Sequence, residues 1–391
     1  MRVCMLSYSF YEVDNRVMRY AEALAKRGDH VEVISLRRDG RSAEEVLHGV
    51  QVFRIQRRVR NEGSRTTYFL RIIQFFFWAM LFLSVRHLRK PYDLIHVHSM
   101  PDFLVLAAWL PKVMGAKIIL DIHDLLPEMY ANKFQGPGDT WMTSMLLKEE
   151  RLSCAFADHV IIANHLWGER IVKRSVPPSK CTPILNYPDP SIFSGHERKR
   201  QDSRFIFIYP GSLHWHQGLS VAIQALNIVH QQVPQVEFHI YGSGPEMEPL
   251  AGLIADLCLQ RHVFLQEFLP MREIAPVLRD ADVGIVPKRK DSFGNEAFST
   301  KILEFMAVGV PVIVSDTTVD RYYFNDSVVR FFQSGDARDL ADAMLEMIHD
   351  PAQREKLARN ASEFVRAFDW GEKKEEYLRL VDGLTQKSKA G

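Results

Sequence analysis

The segment Asn295–Phe305 reads NEAFSTKILEF and carries two acids, Glu296 and Glu304, with seven residues between them. Glu296 falls in the loop just before the first turn of a helix and Glu304 inside it; eight residues at about 3.6 per turn make a little over two turns, so the acids would lie roughly on one side. Ionised carboxylates accept charge-assisted hydrogen bonds from paired hydroxyls, which is how a sugar or ribose diol is oriented. Ser299 and Thr300 between them are candidate helix caps. The N–H groups of the first turn, near Ser299 to Lys301, favour phosphate oxygens. A polyhydroxylated ligand bearing phosphates answers this pattern. The competing reading is an exposed Lys301–Glu304 contact at i,i+3, worth about 0.2–0.5 kcal/mol.

Such a segment needs a sheet edge to stand on. It follows the apolar run VGIVP and the turn-rich KRKDSFGN, and the helix it opens is stopped by Gly309 and Pro311. Apolar runs VCMLS, VEVIS, LIHVH, KIILD and HVIIA alternate with helical patterns in the first half; FIFIYP, VEFHIY, VGIVP and VPVIVS repeat the alternation in the second. That order implies parallel sheets, whose ligands bind beyond the carboxyl ends of the strands. The polar stretch SGHERKRQDSR, residues 194–204, reads as a linker between Rossmann-like domains at 1–193 and 205–365. Residues 366–391 read as a closing helix that packs back on the first domain, with Asp369 as its cap and Tyr377, Leu378, Val381 and Leu384 at helical spacing.

Composition narrows the function classes. The 391 residues are 47% hydrophobic and 25% charged with a net charge of +1, which fits an ordinary soluble two-domain chain and argues against a general nucleic-acid binder. Cys4, Cys154, Cys181 and Cys258 are scattered without a CxxC pair, which fits a reducing cytosol better than zinc or disulfides. MRVCMLSYSF runs directly into a strand, so no secretory leader is expected. Asp280 and Asp282 read as a helix end and strand start, and no metal site is expected.

With these segments in order, the chain resembles the retaining glycosyltransferases of family four. The resemblance is carried by Glu296, seven residues, Glu304 and FMAVGVPVIVSD. It extends to DNRVMRYAEALAKRGDHVEVISL, YDLIHVHSMPDFLVLAA, KIILDIHDLLPEMY, ILNYPDPSIF, YPGSLHWHQGLSVAIQAL and IYGSGPEMEPL. It implies an α/β GT-B fold, two Rossmann-like domains with parallel sheets facing across a cleft. It also implies a UDP- or GDP-linked nucleotide-sugar co-substrate and no other cofactor. By this resemblance Glu304 holds the ribose and Glu296 the donor-sugar hydroxyls, while Phe298, Ser299 and Thr300 approach the sugar and diphosphate. Gly211, Ser212, Gln217 and Gly242 form the donor-side turns. His123 of DIHD matches a histidine facing the donor sugar; Asp124 and Glu128 are placed to contact acceptor hydroxyls, and Arg16, behind the cap Asp14, an acceptor phosphate.

The chain departs from the family in three places. EAFS replaces the commoner EGFG, the first turn SYSFYEVDN lacks glycine, and Ser212 and Gln217 stand where many relatives carry an arginine and a lysine. A departing diphosphate still needs its charge stabilised. The candidates are Lys301, the run Lys288-Arg289-Lys290, and His214 and His216 beside Trp215; the expected catalytic set is Glu296, His123 and Lys301. Plainer readings stay open: a histidine packed after a strand, acids on a surface turn, a solvated basic turn, imidazoles packed around Trp215.

Location has its own signal. Ile72–Val85, IIQFFFWAMLFLSV, spans only about 21 Å as a helix and is not expected to cross a ~30 Å hydrocarbon core. Around it lie Arg54, Arg57, Arg58, Arg60, Arg65, Arg71, Arg86, Arg89 and Lys90 against the single acid Glu62. Arginine flanks around an aromatic stretch suit an anionic lipid surface, with a buried helix as the alternative. The combined expectation is a retaining, nucleotide-sugar-dependent hexosyltransferase. It would be cytoplasmic and peripheral on the inner face of the membrane, extending a polyprenol-diphosphate-linked glycan in surface polysaccharide assembly. Alternatives are a sugar phosphorylase on the same fold, a non-catalytic glycan- or nucleotide-binding relative, and an oxidoreductase suggested by GSGPEM, which lacks the third glycine.

Overall fold

The computed structural model describes residues 1–58, 65–133, 140–194 and 200–389. The chain divides into two compact units, residues 1–186 with 374–391, and residues 187–373.

The first unit is built on β1 (Arg2–Ser7), β2 (His30–Arg37), β3 (Glu44–Leu47), β4 (Val50–Arg57), β5 (Leu94–His98), β6 (Lys117–Ile122), β7 (His159–Ile162) and β8 (Cys181–Pro183). They order as β3-β4-β2-β1-β5-β6-β7-β8, with β3 alone antiparallel to its neighbour. The central strands read as continuous apolar runs because helices cover both faces, so Val3, Met5, Leu6, Ile95 and Val97 are all buried. The second unit holds β9 (Phe205–Pro210), β10 (Val236–Tyr241), β11 (Val263–Gln266), β12 (Val283–Val286), β13 (Val312–Ser315) and β14 (Arg330–Phe332), all parallel, in the order β11-β10-β9-β12-β13-β14. Within that unit the order is 3-2-1-4-5-6, the doubly wound pattern, with its reversal between β9 and β12. The first unit reverses between β1 and β5.

The units part at 186/187 rather than at 193. Residues after 186 belong to the second unit because Phe193 is buried in the core that holds Ile206 and Met306. Residues 195–199 of the expected linker lie outside the described residues. The final helix runs Trp370–Lys389: the Trp370 N–H donates to Pro188 at 3.2 Å in the second unit, whereas Tyr377 is buried in the first. There its hydroxyl meets His96 Nδ1 at 3.0 Å and its ring lies 4.3 Å from that of Tyr20.

The length expected of the apolar helix is corrected. The apolar stretch is the middle of a 25-residue helix, Arg65–Arg89, about 37 Å long. By length and composition its Thr66–Arg89 portion is enough to cross a membrane. The shorter estimate counted only the unbroken apolar run, but the mixed residues Thr66–Arg71 and Arg86–Arg89 continue the same helix. Arg60 and Glu62, counted among its flanks, lie outside the described residues.

The second core is packed tightly at β12. A Cβ at Gly284 would stand 2.6 Å from the Phe305 ring, so Gly284→Ala should cost about 1–3 kcal/mol and lower the melting temperature, measured by calorimetry without ligand.

Candidate functional site

At the reversal in the second sheet, the turn after β9 and the loop after β12 leave neighbouring strand ends. The turn is stitched to the one after β10: the Gly211 N–H donates to Tyr241 at 2.8 Å, and the Leu213 N–H to Ser243 at 2.9 Å. Gly242 lets the two turns close, because a Cβ there would overlap the Gly211 carbonyl. The Tyr209 hydroxyl donates to the Ser212 carbonyl at 2.9 Å and lies 3.0 Å from Gln217 Oε1, which fixes the shape of the turn.

Lys301 reaches into this turn from the opposing helix, Thr300–Ala307. A Cβ at Gly211 would overlap Lys301 Cε and stand 3.0 Å from Nζ, and the ammonium lies 5.2 Å from the centre of the Tyr209 ring. Burial pulls the Lys301 pKa down to about 8, with Glu304 acting against that fall and Lys288 with it. No ion pair within 4 Å joins Lys301 to Glu304; Glu304 instead lies 3.3 Å from Thr300 Oγ1, which donates to it.

Ser299 is the N-cap of this helix, but its buried Oγ makes no hydrogen bond and leaves the helix start uncapped by it. Glu296 is not on the helix. It sits in a turn, its N–H donating to Phe293 at 3.1 Å, so the helical-spacing argument fails although both acids remain at one loop-helix junction. Asn295 Oδ1 holds the loop by accepting from the Thr318 N–H at 2.8 Å. The Phe298 ring packs on Tyr323 at 4.7 Å and Phe324 at 6.0 Å, which anchors to the core the loop expected to approach the donor.

The rival cations are committed elsewhere. Lys288 is buried, donating to the Ala297 carbonyl at 2.7 Å and pairing with Asp320 at 2.9 Å. Arg289 stacks on Trp215 at 4.6 Å and donates to Ser220 at 2.9 Å, while Lys290 faces Asp316 at 3.6 Å. The His214 and His216 rings stack at 5.6 Å, and burial, then His214, lowers His216 to about 4. Asp282 accepts from the Ile206 N–H at 2.8 Å and pairs with Arg200, a strand-anchoring role.

In the first unit, Asp14 caps Asn15–Lys26 by accepting from the Val17 N–H at 3.2 Å. The expectation that Arg16 meets an acceptor phosphate is corrected. It is buried, with Nε and Nη2 each 2.7 Å from the two oxygens of Asp121, and Nη1 on the Ile184 carbonyl at 2.8 Å and Asn186 at 3.0 Å. Glu128 is corrected likewise: Arg174 and Arg170 occupy its carboxylate, and although burial alone would raise its pKa, those partners hold it below the usual range. Asp124 makes no side-chain hydrogen bond among the described residues; burial raises its pKa, opposed by His123 and Arg16.

His123 stands with Nε2 3.3 Å from both Asp121 Oδ2 and His98 Nδ1. Asp121 also lies 3.1 Å from His98 Nδ1 and 3.8 Å from His96 Nε2. Burial alone would raise Asp121, but Arg16, followed by His123 and His98, holds it well below the ordinary carboxylate range, while burial depresses both His96 and His98. Sequence reasoning missed this cluster, whose signal was HVH on β5, two imidazoles on one face, beside an aspartate on β6. His96, His98 and Asp121 bring ligand atoms within 4.8 Å of one another, against the expectation of no metal-like cluster. The donor set fits a hydrogen-bond network better than a cation, since Arg16 already covers both Asp121 oxygens.

Comparison with known proteins accords with this geometry. Residues 13–191 match the description Glycosyltransferase Family 4, and residues 195–364 match Glycosyl transferases group 1. Over 98–99% of this chain it superposes on sucrose-phosphate synthase from Thermosynechococcus elongatus (TM-score 0.79, 19% identity, all of that chain) and on Anabaena HepE in complex with UDP and glucose (TM-score 0.73, 18% identity, all of that chain). The chain therefore belongs to the group 1 glycosyltransferases of GT-B fold. Among its relatives is the phosphatidyl-myo-inositol mannosyltransferase of Mycobacterium leprae, 25% identical over 74% of this chain and 73% of that one. Another is the amylovoran biosynthesis glycosyltransferase AmsK of Erwinia amylovora, 28% identical over 47% and 46%.

Lys301 generates a paired prediction. A half-buried, largely desolvated ammonium with no ion pair among the described residues disfavours the folded state, so Lys301→Met should raise ligand-free stability by about 1 kcal/mol in urea titration. Because the folded pKa lies below that of the unfolded chain, this destabilisation should be full below pH ~8 and fade between pH ~8 and ~10.5 as the native lysine loses its proton first. In kinetics, kcat/KM for donor should fall above pH ~8 in the parent, and that limb should vanish in the Met variant.

Proposed function

We propose that the protein is a retaining, metal-independent glycosyltransferase. It would move a hexose from a UDP- or GDP-linked sugar to a polyprenol-diphosphate-linked glycan at the cytoplasmic face of a membrane, in surface polysaccharide assembly. The observation that carries the reading is the junction in the second unit, where the Gly211 turn, the Lys301 ammonium and the start of helix Thr300–Ala307 meet beside the loop bearing Glu296. A diphosphate suits the start of a helix whose N-cap side chain makes no hydrogen bond, and a cation beside it that has no ion pair among the described residues. A ribose and a hexose suit the two carboxylates. Relatives named for phosphatidyl-myo-inositol mannosyl transfer and amylovoran biosynthesis support a lipid-borne or polysaccharide acceptor.

In this scheme the bond from the anomeric carbon to the leaving phosphate breaks on the face where the acceptor hydroxyl adds. The departing phosphate oxygen takes the hydroxyl proton. Lys301 and the helix start offset the charge that develops on that phosphate, a preorganised stabilisation that is stronger in the transition state than with bound donor. His123, oriented by Asp121, is the candidate for the donor-sugar contact from the first unit.

Glu304→Gln should weaken donor binding about 10-fold, and Glu296→Gln should slow single-turnover transfer about 10- to 100-fold with donor affinity less affected. Isothermal titration with nucleotide sugars and rapid-quench measurement separate the two effects; unchanged values in both variants would sink the assignment. Turnover should persist in EDTA, and loss restored by magnesium or manganese would reject the metal-free scheme. Release of sugar phosphate dependent on inorganic phosphate would favour a phosphorylase instead.

A further inference from the structure

The helix Arg65–Arg89 is apolar on two opposite faces. Ile72, Phe75, Ala79 and Leu83 recur at i, i+3, i+7 and i+11 and are buried. On the other side Leu70, Phe77, Leu81 and Leu88 share a stripe and are 54–65% exposed, with Trp78 beside them, and only 22% of the helix's most apolar window is buried. The inner face cannot readily leave the domain. It packs on β4, on Asp102–Ala108 and on the helix Trp109–Val113. Its last turns are tied down by Arg86, 2.8 Å from Glu32 and 4.2 Å from the Phe53 ring, and by His87 Nδ1, which accepts from the Tyr92 N–H at 3.1 Å.

Neighbouring elements continue the outer face. The helix Thr140–Phe156 packs on the same Asp102–Ala108 segment, and the three helices between them expose Trp109, Val113, Trp141, Met145 and Leu152. Their exposed charges among the described residues are basic, Arg89, Lys148 and Arg151; no carboxylate is exposed, since Glu149 is half-buried and Glu150 is buried against Arg174.

We propose that this face of the first unit is an in-plane docking surface for an anionic lipid bilayer, with helix Arg65–Arg89 lying along the interface rather than spanning it. Spanning would strip the buried stripe from its core and break the Arg86–Glu32 pair. Lying in the interface keeps both and places tryptophans where headgroups meet acyl chains, with arginines and lysines beside anionic lipid. The inference deepens the proposed membrane setting and rests on it for the acceptor's location, but not on the transfer chemistry.

The test is flotation of the full chain with vesicles of phosphatidylglycerol and phosphatidylethanolamine, against phosphatidylcholine alone, without substrates. The parent should float with anionic vesicles and less so at high salt. The variant Phe77→Ser, Trp78→Ser, Leu81→Ser should lose at least 10-fold in partitioning while keeping its melting temperature and its stabilisation by UDP or GDP, because these side chains face outward. Trp109→Ser with Trp141→Ser should weaken partitioning separately. In bound protein carrying Leu70→Cys or Leu88→Cys, both ends should be equally shielded from an impermeant maleimide. Parent protein that ignores anionic vesicles overturns the proposal, whether or not it forms dimers dissolved by the same substitutions. So does shielding of one cysteine only, which would mean spanning. Loss of nucleotide stabilisation in the parent would count against the transfer reading and leave the docking result standing.

Discussion

In a parallel sheet every strand delivers its following loop to the same edge, and where strand order reverses, adjacent loops swing apart and leave a gap that backbone alone cannot fill. Both units depend on that constraint. In the second, the reversal between β9 and β12 sets a glycine turn against a loop and a short helix. In the first, the reversal between β1 and β5 sets the Arg16 helix against the imidazoles of β5 and the Asp121 side chain of β6. The helices, the caps and the paired acids are consequences of how those two gaps are lined.

The two gaps are lined with opposite electrostatics. Asp121 is a buried anion with its partners in place: a bidentate guanidinium and two imidazoles within 3.3 Å. Such a group is fixed, since removing any partner leaves a buried charge short of compensation. Lys301 is a half-buried cation with no ion pair among the described residues, 5.2 Å from the centre of the Tyr209 ring and close beside Gly211. The two charged groups differ in the partners around them rather than in residue type alone.

Much of this was legible in the sequence. Alternating apolar runs gave both sheets, and the order of segments carried the family. Lys301 could be singled out because Ser212 and Gln217 left the turn without its usual charges. What failed was pairing over long range. Arg16 and Glu128 are correctly placed along the chain, yet their partners Asp121 and Arg174 lie 105 and 46 residues away, and nothing local announces them. The aromatic neighbours of Phe298, Tyr323 and Phe324, are likewise not announced by its own segment. The long helix was misjudged at its ends, because only the apolar run Ile72–Val85 was counted although the helix continues through Thr66–Arg71 and Arg86–Arg89.

The tyrosine that reaches His96 comes from residue 377, and its strand partners were made some 280 residues earlier. On the ribosome the second unit, residues 187–373, is contiguous and can close before synthesis reaches position 374. The first unit cannot: its imidazole cluster keeps an open side until residues 374–391 arrive. Translation therefore adds this part of the earlier domain after the later one. A chain stopped before residue 374 would carry the whole second unit and a first unit in which Tyr20 and His96 lack the Tyr377 side chain that packs on them.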